Sequence, residues 1–184
     1  MEIRLILHDI RSLHNVGSIF RTADAAGVEK VYLCGITPAP LDRFGDVRPR
    51  FGKVALGAEK YVQWEKAALT RRVIDKLKSE GCRIFAVEQS KSSIPYDKVR
   101  GVGLNAGTRI ALIFGNETKG LPQSVLAQAD KILEIPMRGA VVREARHPRR
   151  RGRGKESLNV SVAVGIVTFG LLPASTKSKK GSRA

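Results

Sequence analysis

The feature that most narrows the fold is a pair of short apolar runs without polar alternation, Arg83–Val87 (RIFAV) and Ile110–Phe114 (IALIF). A strand wet on one face alternates apolar and polar residues. A strand covered on both faces does not, and double coverage belongs to parallel sheets flanked by crossover helices. Further strands are predicted at Ile3–Ile10, Val31–Ile36, Tyr61–Trp64 and Ile132–Ile135. Between them Asn15–Ala26, Ala67–Glu80, Pro122–Ala129 and Ser157–Leu172 read as helices. Asn15 lies near the N-cap of the first, Gly27 just past its end, and Gly81 stops the second. The alternation predicts an α/β fold with a mainly parallel sheet and flanking helices. Thr37–Gly52, rich in Pro, Gly and Arg, reads as a long loop, and so does the polar stretch around Ile94–Val99.

The 184 residues, 42% of them hydrophobic, suffice for one domain over 1–173, followed by a basic tail, 174–184, expected to be disordered. No apolar run reaches the ~18 residues that span a membrane. The opening MEIRLILHDI lacks a small-residue cleavage site and reads as a first strand rather than a leader. Cys34 and Cys82 fall in apolar runs, as buried reduced thiols do, so a cytoplasmic location is expected. The three histidines, His8, His14 and His147, have no ligand spacing with either cysteine, and no metal is expected. The net charge of +16 is unevenly spread: residues 138–155 carry eight Lys/Arg against one Glu, and the tail adds four more. Such density predicts a polyanion partner. Without an amphipathic helix beside it, nucleic acid is favoured over a membrane surface.

Some nucleotide-binding patterns drop out. Gly101–Gly107 (GVGLNAG) is not G-x-G-x-x-G and precedes a strand. Arg149 stands where a P-loop needs its first glycine, and Glu156 follows Gly154-Lys155 where Ser or Thr is required. No Ser–His–acid pattern is evident.

Three other segments carry chemistry. In N15-V-G-S-I-F-R21, Asn15 and Arg21 sit at the entrance and middle of one helix, with Gly17 and Ser18 keeping the entrance narrow. A helix N-terminus followed by a guanidinium suits a phosphate, although an ordinary helix with a solvated Arg reads the same way. In I113-F-G-N-E-T-K-G-L-P122 a buried strand ends at Gly115 and turns through Asn116, Glu117 and Gly120. Ligands of α/β sheets bind beyond the carboxyl ends of strands, although a tight turn with a capping Glu is the plainer account. The third is I135-P-M followed by K155-E-S-L-N-V-S, where Ser157, Asn159 and Ser161 crowd the start of an apolar helix. One cap needs fewer polar groups than that.

Together and in this order, N-x-G-x-x-x-R, F-G-N-E-x-x-G-L-P and I-P-M…S-L-N-V-S-x-A resemble the SpoU/TrmH family of SPOUT-class RNA 2′-O-ribose methyltransferases, over roughly residues 3–172. The resemblance implies a C-terminal trefoil knot, an exception to the no-knot rule. It also implies S-adenosyl-L-methionine bent inside that knot, a homodimer whose site draws on both subunits, and tRNA or rRNA as substrate. By the same resemblance the catalytic residues are Asn15, Arg21, Glu117, Ser157 and Asn159. Cofactor contacts fall to Val87, Gly115, Asn116, Ile135, Met137, Ser157 and Leu158. Arg21 is sometimes cast as the base in such enzymes, but a guanidinium stays protonated. A bidentate clamp on the neighbouring phosphate fits its chemistry better.

The chain departs from that pattern in one place. Between I-P-M and S-L-N stands a 15-residue insertion, 140–154, carrying Arg143, Arg146, Arg149, Arg150, Arg151 and Arg153. It reads as an RNA-binding arm beside the active site. A tolerated loop expansion is the competing account, since loop length costs little entropy. The disruption also keeps open a non-catalytic RNA-binding or ribosome-assembly role on the same scaffold.

Overall fold

The computed structural model describes residues 1–101, 104, 105, 107–139 and 157–173. The insertion at 140–154 with its six arginines and the tail at 174–184 lie outside the described residues. Among the described residues seven strands form one sheet: β1 (Glu2–His8), β2 (Lys30–Cys34), β3 (Gln63–Ala67), β4 (Arg83–Val87), β5 (Ile94–Pro95), β6 (Arg109–Phe114) and β7 (Lys131–Glu134). Their order across the sheet is β3-β2-β1-β6-β4-β7-β5, and every pairing is parallel.

The α-helices among the described residues are α1 (Leu13–Ala26), α2 (Pro49–Ala55), α3 (Thr70–Ser79), α4 (Gln123–Leu126) and α5 (Val160–Leu171). The two-residue period of a strand sorts the core into two layers. Leu5, Leu7, Phe85, Leu112 and Phe114 point toward the side covered by α1, α2 and α5. Ile6, Ile84, Ala86, Ala111 and Ile113 point toward α3 and α4, where Ile74, Leu77 and Val125 meet them. The continuous apolar runs β4 and β6 are therefore buried on both faces, as their lack of alternation predicted.

Strand β1 is the pivot. The chain winds from it through α1 to β2 and β3 on one side, whereas β6, β4, β7 and β5 lie on the other. Such a reversal of winding opens a crevice at the carboxyl ends of the strands.

Several boundaries differ from the sequence reading. Helix α1 starts two residues early because Ser12, not Asn15, is its N-cap: the Ser12 hydroxyl accepts from the Asn15 backbone N–H at 3.2 Å. Its other end agrees, with Gly27 left-handed at φ 65°. Part of the Thr37–Gly52 loop is helix α2, opened by Pro49 and burying Phe51 and Ala55 one turn apart. Gly17 does not narrow the entrance of α1. It faces α2, where a Cβ would stand 3.2 Å from the Phe51 carbonyl oxygen, so the small residue permits the close helix contact. The third strand lies at Gln63–Ala67, not Tyr61–Trp64; as an edge strand it is only partly buried and its pattern is weak. At the opposite edge the predicted Ile94–Val99 loop contributes the two-residue strand β5.

Cys34 and Cys82 are free and buried, and burial raises both thiols, Cys34 to about 11. No helix among the described residues is long and apolar enough to cross a membrane. Among those residues no His/Cys/Asp/Glu cluster could hold a metal.

Candidate active site

At the carboxyl ends of β4, β6 and β7 a cleft of about 560 Å³ opens. Its walls come from four places in the chain: Val87–Gln89 at the end of β4, Phe114–Gly120 at the end of β6, Glu134, Ile135 and Met137 at the end of β7, and Ser157–Val160 at the entrance of α5. Asn15, from the first turn of α1, closes one side.

The turn after β6 is held by its own polar groups. The Asn116 side-chain oxygen accepts from the Thr118 and Lys119 backbone N–H groups at 2.9 and 3.0 Å, and its Nδ2 donates to the Asp9 carbonyl at 3.1 Å. The Asn116 side chain is thus engaged in building the turn. Gly115 lets the strand end fold back, since a Cβ there would lie 2.7 Å from Leu121 Cγ and 2.9 Å from its backbone nitrogen. Gly120 is left-handed at φ 67° and leaves room for Glu88, whose Oε2 would stand 2.5 Å from an added Cβ.

Glu117 projects from this turn onto the N-terminus of α1. Its carboxylate accepts the backbone N–H of Arg11 at 3.1 Å, that of Ser12 at 3.2 Å and the Asn15 Nδ2 at 3.1 Å. Partial burial alone would raise this carboxyl. The N–H groups of Arg11, of Glu117 itself and of Ser12, with the Asn15 amide, outweigh burial and hold it below the ordinary carboxylate value. It therefore stands ionised at neutral pH, favoured also by the positive end of the helix.

Asn15, only 8% exposed, passes the pattern on. Its side-chain oxygen accepts from Asn159 Nδ2 at 3.2 Å, and Asn159, the N-cap of α5, accepts the Ser161 backbone N–H at 2.9 Å and its hydroxyl at 2.7 Å. Ser161, Asn159, Asn15 and Glu117 form one hydrogen-bonded chain with every donor directed toward the carboxylate. It joins the three sequence motifs across separations of 102 and 144 residues.

All seven residues assigned to the cofactor, Val87, Gly115, Asn116, Ile135, Met137, Ser157 and Leu158, line the cleft, as do Asn15, Glu117 and Asn159. Arg21 does not. It is exposed on α1, outside the lining. Sequence reasoning missed Glu88, whose Oε2 accepts the Leu121 N–H at 2.8 Å and Oε1 the Gln89 N–H at 3.0 Å. It ties the β6 turn to β4. The available signal was its place, one residue beyond a buried parallel strand. Glu134 was missed for the same reason; it accepts from the Ser93 hydroxyl at 3.0 Å.

Apolar walls with three carboxylates suit a ligand that joins a flat ring system to cationic groups. Val87, Phe114, Ile135, Met137 and Leu158 supply the walls, and Glu88, Glu117 and Glu134 the negative charge. A sulfonium nucleoside with an ammonium group is such a ligand, so the residues present fit S-adenosylmethionine.

The fold and cleft define a class: a parallel α/β domain with its ligand site beyond the carboxyl ends of the strands, lined by polar residues from three distant motifs. The profile of the SpoU rRNA methylase family matches residues 2–142, and the chain belongs to that family. It is 32% identical over 165 residues to the 23S rRNA (guanosine-2′-O-)-methyltransferase RlmB of Coxiella burnetii, covering 90% of this chain and 56% of that protein. The chain thus spans about half the length of the curated relatives it matches. Among solved structures, the AdoMet-bound rRNA methyltransferase from Sinorhizobium meliloti superposes with a TM-score of 0.73 at 26% identity, covering 92% of this chain and 55% of that one. Another, described as "Structural insights into the 2-OH methylation of C/U34 on tRNA", gives a TM-score of 0.68 at 26% identity, with 92% and 93% covered.

Proposed function

We propose that this protein transfers a methyl group from S-adenosylmethionine to a ribose 2′-hydroxyl of tRNA or rRNA. The observation that carries the reading is the hydrogen-bonded chain from Asn159 through Asn15 to Glu117 at the cleft wall. Val87, Ile135, Met137 and Leu158 would enclose the donor, with Gly115 and the Asn116 turn shaping the floor and Ser157 at the rim. When bound, S-adenosylmethionine supplies a methyl already activated on sulfur, so forming the ribose O–CH3 bond releases a neutral thioether and one proton to solvent. Positioning then supplies much of the rate. Ionised Glu117 orients the Asn15 amide, which in turn fixes Asn159 beside the target ribose. Arg21 clamps the adjacent phosphate through its planar fork and offsets negative charge growing on the attacking oxygen.

The reading includes a homodimer. Helix α5 is apolar on nearly every side, yet Val162 is 48% and Phe169 49% exposed. A second copy would cover such a surface. It would also bring a partner's Arg21 to a cleft that this chain's own Arg21 does not line. A C-terminal trefoil knot belongs to the same reading, as does a cytoplasmic location suited to two reduced thiols. The arginines of the 140–154 segment would hold RNA phosphates. Deleting that segment should then lower both RNA affinity and its salt dependence.

Calorimetric titration with S-adenosylmethionine should show binding. Mass spectrometry of nucleosides from RNA incubated with protein and donor should show a ribose-methylated product. A base-methylated nucleoside would overturn the assignment. Absence of donor binding would leave the non-catalytic RNA-binding role.

A further inference from the structure

Phe44 is 73% exposed, at the tip of a small hairpin between β2 and α2. A ring so exposed, on a tip held by its own hydrogen bonds, is available to a flat partner from outside the chain. The tip is built with care. The Asp42 carboxylate accepts the Phe44 N–H at 2.8 Å and the Asp46 N–H at 3.1 Å. The Asp42 N–H donates to the Asp46 carbonyl at 2.9 Å, and Gly45, at φ 89°, completes the reversal. Below it Leu41 and Val47 pair antiparallel, and Arg48 Nε donates to the Leu41 carbonyl at 3.1 Å. The Arg43 guanidinium lies 4.6 Å from the Phe44 ring centroid. The tip therefore presents a stacked ring and cation with their ordering cost already met.

The hairpin is anchored at both roots to the elements that build the cleft. On one side buried Thr37 receives the Ile10 N–H at 3.0 Å and donates to the Leu7 carbonyl at 2.9 Å. Ile10 immediately precedes Arg11 and Ser12, which hold Glu117. On the other side Phe51 of α2 meets Phe20 of α1 edge-on at 5.2 Å. One root thus leads to the segment that enters α1 and the other to the middle of that helix, and the hairpin leaves the sheet at the carboxyl end of β2, the side on which the cleft opens.

We propose that Phe44, with Arg43 beside it, is a stacking platform for an unpaired base of the RNA substrate. The proposal rests on the reading of this protein as one that acts on RNA. An aromatic face backed by a guanidinium suits a nucleobase, whose flat ring stacks whatever its sequence, while the arginine adds cation–π attraction and reaches a phosphate. A duplex offers no such ring, because its bases are already stacked. The platform therefore selects single-stranded or flipped-out nucleotides.

The test uses the full chain and two fluorescein-labelled oligoribonucleotides, one single-stranded and one a closed duplex hairpin of similar length. Binding is followed by anisotropy at two salt concentrations. Phe44→Ala should bind the single strand about 5- to 100-fold more weakly, with the salt slope unchanged because no charge is removed. Phe44→Trp should restore affinity, and duplex binding should not change with either variant. Equal single-strand affinity for the parent and Phe44→Ala would overturn the proposal, and so would an equal loss on duplex. A lower sedimentation mass for Phe44→Ala would overturn it too, assigning the ring to a contact between copies. S-adenosylmethionine titration separates this from the enzymatic reading: a parent that binds RNA through Phe44 but takes no donor would sink methylation and leave the platform standing.

Discussion

The cleft and the solvent side of α1 and α5 belong to the same two helices and are opposite in character. In the cleft, Asn15 is 8% exposed and locked between Glu117 and Asn159. Six residues further along α1, Arg21 stands exposed, and α5 shows Val162 and Phe169 to solvent. The hydrogen bonds that hold Asn15 in the first region all come from within one chain. In the proposed reading the second acts through what it would touch, a phosphate or another copy of the chain. Changes in the cleft should therefore appear in donor binding and stability, and changes outside it in turnover and assembly.

The largest effect is expected at Arg21. Arg21→Lys keeps the charge and loses the fork, so turnover should fall by roughly 100-fold or more. Donor affinity measured by calorimetry should stay at the parent value, because the clamp holds the substrate's phosphate and not the donor. Near-normal turnover would remove the clamp role.

Next comes Glu88, on the inner side of the comparison. Glu88→Ala strands the Leu121 and Gln89 N–H groups and unties the β6 turn from β4. Each unsatisfied donor costs about 1–3 kcal/mol when buried, so donor affinity should drop by about tenfold or more. Turnover at saturating donor should change little. An equal loss in both would place Glu88 in the chemistry.

Phe169→Glu tests the outer side. It puts a charge on the apolar face of α5 and should shift sedimentation from a two-chain to a one-chain mass, with donor affinity retained. A parent protein that already sediments as one chain would reject the homodimer.

The smallest effect concerns pH. The Glu117 carboxyl is depressed in the folded chain, so its contribution to stability is fully present above its ordinary value of 4.5. That contribution is lost as the pH falls through the lower, folded value. Glu117→Gln should therefore melt at a temperature that declines less between mildly and strongly acidic solution than the parent's does. Parallel declines would show that the hydrogen bonds from Arg11, Ser12 and Asn15 do not favour the ionised form.

The sequence by itself determined whatever local pattern encodes. Strands β4 and β6 were legible because burial on both faces removes polar alternation, and the end of α1 because Gly27 takes a left-handed conformation at little cost. The residues gathered at the cleft were also legible, because their ordered motifs resemble a family that shares the fold. Tertiary structure decided the rest. Asn15 looked like a cap, yet Ser12 caps α1 and frees the Asn15 side chain for partners 102 and 144 residues away. Glu88 looked like one more polar residue after a strand until the β6 turn came down onto it. Arg21 looked like a neighbour of Asn15, and the helix carried it out of the cleft. Hydrogen bonds across such distances leave no periodicity in the chain; they exist only once parallel strands with long crossovers have placed their carboxyl ends side by side.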